Sequence, residues 1–304
     1  MRKQWQRKIN KMYKKQTRAA YVFLFPGLLL IILFIFVPVV LNFIYSFYRW
    51  SAFSISKEFI GFENYITLFK DEIIYVAIKN NIIFAVLSLI FQVFVAMVLA
   101  GMLEYKVIRR FQPFFRTAYF IPSLMSITVS GLLFQLIYSP RTGFINKILE
   151  ILGIAVENID LLGKGSTAIY AVTMVSQWQY TGYAVMLFLI AMQKVPEEYY
   201  EAAIMDGAGF VKRFIFVTVP LIKETIMVNM VITVIGAFKV FDEIYVMTQG
   251  GPGRASEVLG TYLFRSGFRN DVMGYASAIA TLIFVITFML SLLQIKLSDI
   301  KLSG

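Results

Sequence analysis

The chain contains neither cysteine nor histidine. Without thiols there is no disulfide and no thiolate nucleophile. Without imidazole the commonest general base and the commonest metal ligand are missing as well. No metal and no cofactor are expected. Charge is also scarce: Asp, Glu, Lys and Arg make up 15% of the 304 residues, against roughly 25% in soluble domains. Acids are the scarcer sign, 18 against 29 bases, and no acid/base constellation lies where a reaction pocket could form, so an enzyme is not expected. Hydrophobic residues fill 59% of the chain, which places it among polytopic membrane proteins. The net charge of +11 collects in the N-terminal tail and short loops, as a membrane surface requires, and nucleic acid is not an expected partner.

Residues 1–18 carry Arg2, Lys3, Arg7, Lys8, Lys11, Lys14, Lys15 and Arg18 with no balancing acid, a cytoplasmic basic tail suited to anionic lipid. The apolar run behind it is too long for a signal peptide and no small-residue cleavage pattern follows, so it is read as retained. Apolar stretches then recur between Arg18 and Arg49, Lys79 and Glu104, Arg116 and Arg141, and Lys164 and Lys194. Two more run from about Pro220 to Phe241 and from Val272 to Ile295. Each can supply the roughly 20 residues that cross a hydrocarbon core of about 30 Å. Pro26, Pro38 and Pro122 are expected to kink or end helices, which membrane helices tolerate when neighbours satisfy the freed backbone.

With the N-terminus inside, the tail, then Lys106, Arg109, Arg110 and Arg116, then Lys194, Lys212 and Arg213, then Lys296 and Lys301 all fall on the cytoplasmic side. The longer loops opposite hold fewer bases: Arg49, Lys57 and Lys70, then Arg141, Lys147 and Lys164, then Arg254, Arg265 and Arg269. The positive-inside rule therefore puts both termini in the cytoplasm. The outer loop at 139–167 holds an apolar run, Ile145 to Ile154, that suggests a short interfacial helix. Its Gly163-Lys164-Gly165-Ser166-Thr167 resembles a phosphate loop but fails on spacing, because Asn158 stands at the first glycine position.

The stretch Glu201-Ala202-Ala203-Ile204-Met205-Asp206-Gly207 lies on the cytoplasmic side in this topology. Pro196 and the acids Glu197 and Glu198 suit the first turn of a helix, and Gly207 and Gly209 suit its end. A small-residue face allows another protein's backbone to approach closely. Glu201-Ala202-Ala203, with Gly207 after three residues and Val217, Val219 and Pro220 beyond, resembles the EAA motif (EAA-x3-G-x9-I-x-LP) of permease subunits of binding-protein-dependent ABC importers. Val217 stands for Ile and Val219 for Leu. The resemblance implies an all-α integral membrane protein of the type I ABC importer permease fold: six transmembrane helices over residues 19–297, a coupling loop at about 194–219, and a cytoplasmic tail at 298–304. It further implies that Glu201, Ala202, Ala203, Asp206, Gly207 and Pro220 belong to a coupling segment that docks on a cytoplasmic ATPase. The implied partners are a second, homologous permease subunit, two ATP-binding subunits that hydrolyse ATP, an extracytoplasmic solute-binding protein, and membrane lipid. The implied location is the prokaryotic plasma (inner) membrane.

A second stretch, Phe241-Asp242-Glu243-Ile244-Tyr245-Val246-Met247-Thr248-Gln249-Gly250-Gly251-Pro252, forms a glycine- and proline-rich turn. Together with Gly274-Tyr275-Ala276-Ser277-Ala278 it looks like the carbohydrate branch of this family, the maltose- and glycerol-phosphate-type first permeases. The fourth apolar stretch carries Ser176-Gln177-Trp178-Gln179-Tyr180-Thr181-Gly182-Tyr183. Amides, hydroxyls and aromatic rings at membrane depth are costly unless used or mutually paired, and sugars offer hydroxyl edges and C–H faces that match them. The resemblance points to Ser176, Gln179, Tyr180 and Tyr183 as substrate contacts, and to Thr233, Gly236 and Ala237 on the fifth. Tyr, Trp and Ser also serve as packing and interface residues, and that reading stays open. Lys239 either attracts an acidic sugar, snorkels outward, or pairs with Asp242 or Glu243. The expected substrate is a sugar, an oligosaccharide first; a glycerol-phosphate or polyol importer is the alternative. A self-contained secondary transporter or channel would need intramembrane carboxylates, and apart from the flanking Glu224 and Asp242 the apolar stretches offer almost none.

Overall fold

A computed structural model describes residue 17 and residues 20–53, 56–105, 108–140, 142–152 and 160–297. The basic tail, Gly153 and the last residues therefore lie outside the described residues. The chain is helical, with one small hairpin. Helix α1 is Ala20–Tyr45. Strands β1 (Tyr48–Arg49) and β2 (Glu58–Phe59) pair antiparallel. Helix α2 is Glu63–Lys70 and α3 is Glu72–Glu104. Then come α4 (Arg109–Leu124), α5 (Ile127–Ile137), α6 (Phe144–Ile151), α7 (Ala168–Gln193) and α8 (Glu197–Met205). Residues 210–221 form α9, followed by α10 (Lys223–Phe238), α11 (Asp242–Met247), α12 (Leu259–Phe264) and α13 (Met273–Leu297). The interfacial helix expected in the 139–167 loop is α6.

Four helices among the described residues are long and apolar enough to cross a membrane: α1, α3, α10 with α11, and α13. A fifth span exists if α4 and α5 count as one, and they meet at 97°. The break falls at Pro122 in a 3₁₀ turn, after which Met125 and Ser126 are extended (ψ 145° and 136°). Proline supplies no N–H and its ring crowds the preceding turn. One freed carbonyl is satisfied from outside: Gln179 Nε2 donates to Met125 O at 2.7 Å. Helix α7 has the length of a span, 26 residues, but its polar run makes it too little apolar to count as one. It is also the most enclosed long helix, with 15 residues buried. The fourth stretch expected from sequence is thus a helix most of whose polar groups are sheltered by protein.

Helix α1 is the opposite case. Residues 20–41 are exposed throughout, almost all of them apolar, as a lipid-facing helix would be. It is held at its end by Asn42 Nδ2, which donates to Ser277 O (3.3 Å) and Thr281 Oγ1 (3.4 Å) on α13.

Two apolar clusters form the core. One gathers Leu68, Ile74, Val172, Val175, Ile244, Leu259 and Ile279. The other gathers Val93, Ala96, Ala100, Val185, Phe188, Leu189 and Ile222. Between them a polar seam crosses three helices. Gln92 Nε2 donates to Gln177 Oε1 (3.0 Å), and Gln177 Nε2 donates to Ser88 Oγ (3.0 Å) and Thr173 O (3.1 Å). Asn229 Nδ2 donates to Gln92 O (2.7 Å), within a stretch of α3, Leu89–Val95, that is wound as a π-helix. Extra carbonyl access in such a turn is what lets a side chain bond there. These amides are satisfied by each other, the condition for keeping them at membrane depth.

The loops sort to two ends. At one, Asn80 Nδ2 on α3 donates to Ala255 O and Glu257 O, both 2.8 Å, and Asn81 bridges Ala237 O and Leu259 N. The glycine-rich turn closes over Glu257, which is fully buried between Arg254 (3.6 Å) and Arg265 (3.3 Å). Gly250 has φ +84°, and a Cβ there would lie 2.8 Å from the Glu257 carboxyl, so glycine is required. Beside it Asp71 accepts hydrogen bonds from Tyr262, from Tyr275 (2.6 Å) and from Ile73 N (2.9 Å). Burial alone would raise the Asp71 carboxyl; the two phenols and the Ile73 N–H outweigh it and hold it below the usual 3.8. Burial, then the hydrogen bond to Asp71, pushes Tyr262 from 10.0 to about 12.

The signs follow from linkage. The tyrosine contribution is whole below pH 10.0 and is lost as pH rises through about 12. The Asp71 contribution is whole above 3.8 and is lost as pH falls below it. Tyrosinate absorbance of the purified protein should therefore show a late-titrating phenol near pH 12. Asp71→Asn should bring that phenol back toward its ordinary value, and an unmoved titration would refute the assignment.

Candidate functional site

Two places concentrate chemistry. The first is α8. Pro196 (φ −58°, ψ 137°) precedes it, and Glu197 and Glu198 occupy its first turn, facing the positive end of the helix dipole. It stops at Asp206, and Gly207 follows at φ +73°. Gly207 N donates to Ile204 O (2.9 Å) and Ala208 N to Ala203 O (2.8 Å). This pair of bonds is the Schellman termination, which takes a glycine at the left-handed position. Nothing lies within 4 Å of a Cβ placed on Gly207, so its approach side is open.

No residue of α8 is buried. Met205 is 86% exposed, and Ile204 and Tyr199 are each 53% exposed. Apolar side chains gathered on one projecting helix mark a contact surface. Glu201, Ala202 and Asp206 are exposed beside them, with Ala203 half-buried. Helix α8 is tied to the body through Tyr200 Oη and Thr218 Oγ1, 3.1 Å apart. The α9 segment then packs Phe210 on Tyr105 (4.8 Å between rings) and Phe214 on Gly101, where a Cβ would meet the ring at 2.4 Å. Glu104 at the end of α3 accepts from Gln193 (2.8 Å) and Gln112 (2.9 Å). The ends of α3, α4 and α7 are thus fastened together close to α8. Pro220 lies on α9, just before the buried Ile222 that opens α10.

The second place is the middle of α7. Ser176, Tyr180 and Tyr183 are spaced i, i+4, i+7 and share a face. Ser176 is buried, Tyr180 half-buried and Tyr183 exposed, so the face runs from the core to the surface. Ser176 Oγ donates to Glu243 Oε1 on α11 at 3.4 Å. Gln179 is buried and its amide nitrogen is committed to Met125 O, while its Oε1 has no partner among the described residues. Trp178 packs edge-on against Phe134 of α5 at 5.1 Å. Helix α5 is in turn locked to α11 by Gln135 Nε2, which donates to Val246 O and Met247 O at 3.0 Å.

On α10, Thr233 and Ala237 face the chain's own core: Ala237 O accepts from Asn81, and Thr233 Oγ1 is buried without a partner among the described residues. Gly236 is exposed, with none of the described residues within 4 Å of a Cβ position. Lys239 is exposed and, among the described residues, forms no ion pair with Asp242 or Glu243.

Sequence reasoning missed the partners that make α7 tolerable, Asn229, Gln92 and Ser88, although polar residues spaced inside apolar runs were their signal. It read Glu243 as part of the glycine-rich loop, whereas the residue is buried against α7. No group of three or more Asp or Glu residues suited to a metal occurs among the described residues.

The family described as binding-protein-dependent transport system inner membrane component matches residues 92–297, a region holding α7, α8 and α10 to α13. The chain belongs to this family. It is 49% identical over 276 residues to the probable ABC transporter permease protein YurN of Bacillus subtilis, covering 91% of this chain and 94% of that one. It is 32% identical to the arabinooligosaccharides transport system permease protein AraP of the same organism, covering 94% and 90%. Among solved structures, a bacterial ABC transporter involved in the import of alginate matches with a TM-score of 0.82 at 24% identity, over 97% of this chain and all of that one. That likeness shows the fold alone. The family also fixes the membrane as the location. Its relatives are transport permeases, in agreement with the lack of a reaction site in the sequence.

Proposed function

We propose that this chain is one permease half of an ABC importer for sugars, oligosaccharides first among them. The observation that carries the reading is the α7 face: a hydroxyl and two phenols running from a buried carboxylate to the surface, in a chain related along 94% of its length to an arabinooligosaccharide permease. Six spans, α1, α3, α4 with α5, α7, α10 with α11, and α13, bring both termini and α8 to the basic, cytoplasmic side. A second, homologous permease completes the pathway against the exposed half of the α7 face. Two ATPases drive transport, one of them docked on α8, with Glu201, Ala202, Ala203, Asp206 and Gly207 in the contact. A binding protein delivers sugar at the opposite end, where the turn over Glu257 is held rigid. A structural neighbour was solved in complex with an alginate pentasaccharide-bound periplasmic protein, which supports that arrangement.

Tyr180 and Tyr183 would stack on sugar faces while Ser176, Gln179, Thr233, Gly236 and Ala237 shape the site around them. Loss of one stacking ring is worth about 0.5–1.5 kcal/mol, or roughly 2- to 12-fold in affinity. Tyr180→Ala and Tyr183→Ala should each raise the sugar concentration for half-maximal uptake by that much, with the assembled complex recovered intact. Uptake kinetics identical to wild type in both variants would remove α7 from the site.

A further inference from the structure

Glu243 is 8% exposed, and among the described residues it has no cationic partner. Its one side-chain partner is the Ser176 hydroxyl, on the face that carries Tyr180 and Tyr183. Asp242 stands next to it in the chain and is exposed. Lys239, three residues before Asp242, is exposed and, among the described residues, pairs with neither. An ionisable group at membrane depth without a counter-charge is costly, and such groups mark substrate pathways. A packing role that keeps the Ser176 bond would be served equally by glutamine. A carboxylate adds two things: strong acceptance of hydroxyl hydrogens and repulsion of anions.

We propose that Glu243 is a specificity-determining residue, which makes the pathway accept saccharides without net negative charge and reject uronates. This rests on the α7 sugar site proposed above. Ser176 donates to one oxygen of the carboxylate, and the carboxylate accepts sugar hydroxyls on the face that carries Tyr180. A uronate arriving there meets Glu243 and Asp242, neither of which is ion-paired among the described residues. The preference is therefore built into the permease, beyond whatever the binding protein selects.

The test uses the complete importer in nanodiscs without its binding protein, so that delivery does not impose its own selectivity. Neutral trisaccharides (maltotriose, arabinotriose) and a triuronate are titrated, and quenching of Trp178 is read; Trp5 and Trp50 are replaced by Phe. Wild type should bind its best neutral trisaccharide about tenfold or more tighter than the triuronate, the size that partly screened repulsion between near charges supports. Glu243→Gln keeps shape and the bond to Ser176, and should bring the two within about threefold by gaining the uronate. Glu243→Asp should keep the discrimination. A gap that persists in Glu243→Gln, or a wild type that binds the triuronate as well as neutral sugar, overturns the inference and leaves the sugar site standing. If no saccharide of either charge quenches Trp178, the sugar site itself fails and the inference with it.

Discussion

Gly207→Asp is expected to leave the permease inserted and paired with its sister subunit, while ATPase binding and sugar-stimulated hydrolysis fall at least tenfold. The argument begins with what the substitution does not do. None of the described residues comes within 4 Å of a Cβ on Gly207, so no clash with them arises. Left-handed backbone costs a non-glycine residue roughly 1–2 kcal/mol, and less for aspartate, whose side chain tolerates it. The helix can therefore keep its termination. What changes is the open side: a charged side chain is placed beside Met205 and Ile204, the apolar surface that a docking groove would cover. A desolvated, unpaired charge in an interface costs several kcal/mol. Glu201→Lys should act likewise without any backbone strain, because Glu201 is exposed and unpaired among the described residues.

Gly253 supplies the control. It too has positive φ (+54°) and open surroundings, but it lies in the turn over Glu257, at the end of the molecule away from α8. Gly253→Asp should leave ATPase capture at the wild-type level. Pull-down of the ATPase by the three variants separates a coupling surface from an ordinary loop. Full capture by Gly207→Asp would sink the coupling assignment, whatever transport does.

How legible this molecule was in its sequence differs from element to element. The α8 helix and its end were readable because proline, acids and glycine act locally: each residue's own backbone preference sets the start and the stop. The apolar runs were readable because length against bilayer thickness needs no tertiary knowledge. The 97° bend between α4 and α5 was only half readable. Pro122 announces a break, but its direction depends on Gln179, a residue far along the chain that satisfies Met125 O. For the same reason Gln179 read as a sugar contact alone, when its amide nitrogen also caps a broken helix. The β1–β2 pair was not anticipated: two residues per strand are too few for alternation to register. Glu243 was misplaced because sequence gives a carboxylate's position along the chain and not the helix that comes to cover it. The deepest polar groups are thus the least legible ones, since what makes them affordable is contributed by other helices.

That dependence predicts the most severe lesion in the chain. Gly182 sits where α7 crosses α4, and a Cβ there would lie 1.7 Å from Tyr119 O and 2.5 Å from Tyr119 C. Both atoms are backbone, so no rotamer change relieves the overlap; the helices themselves must separate. Their packing is also what aims Gln179 at Met125 O three residues away. Overpacking a close-fitted contact costs about 1–3 kcal/mol even where side chains can adjust, and here they cannot. Gly182→Ala is expected to lower the thermal midpoint of the detergent-purified complex by several degrees, and Gly182→Leu to prevent its accumulation in the membrane. Gly236→Ala, with open space at its Cβ, should be neutral for both readouts. A Gly182→Leu permease that accumulates and melts like wild type would mean that α4 and α7 do not meet backbone to backbone. The route by which Gln179 supports the broken span would then have to be abandoned.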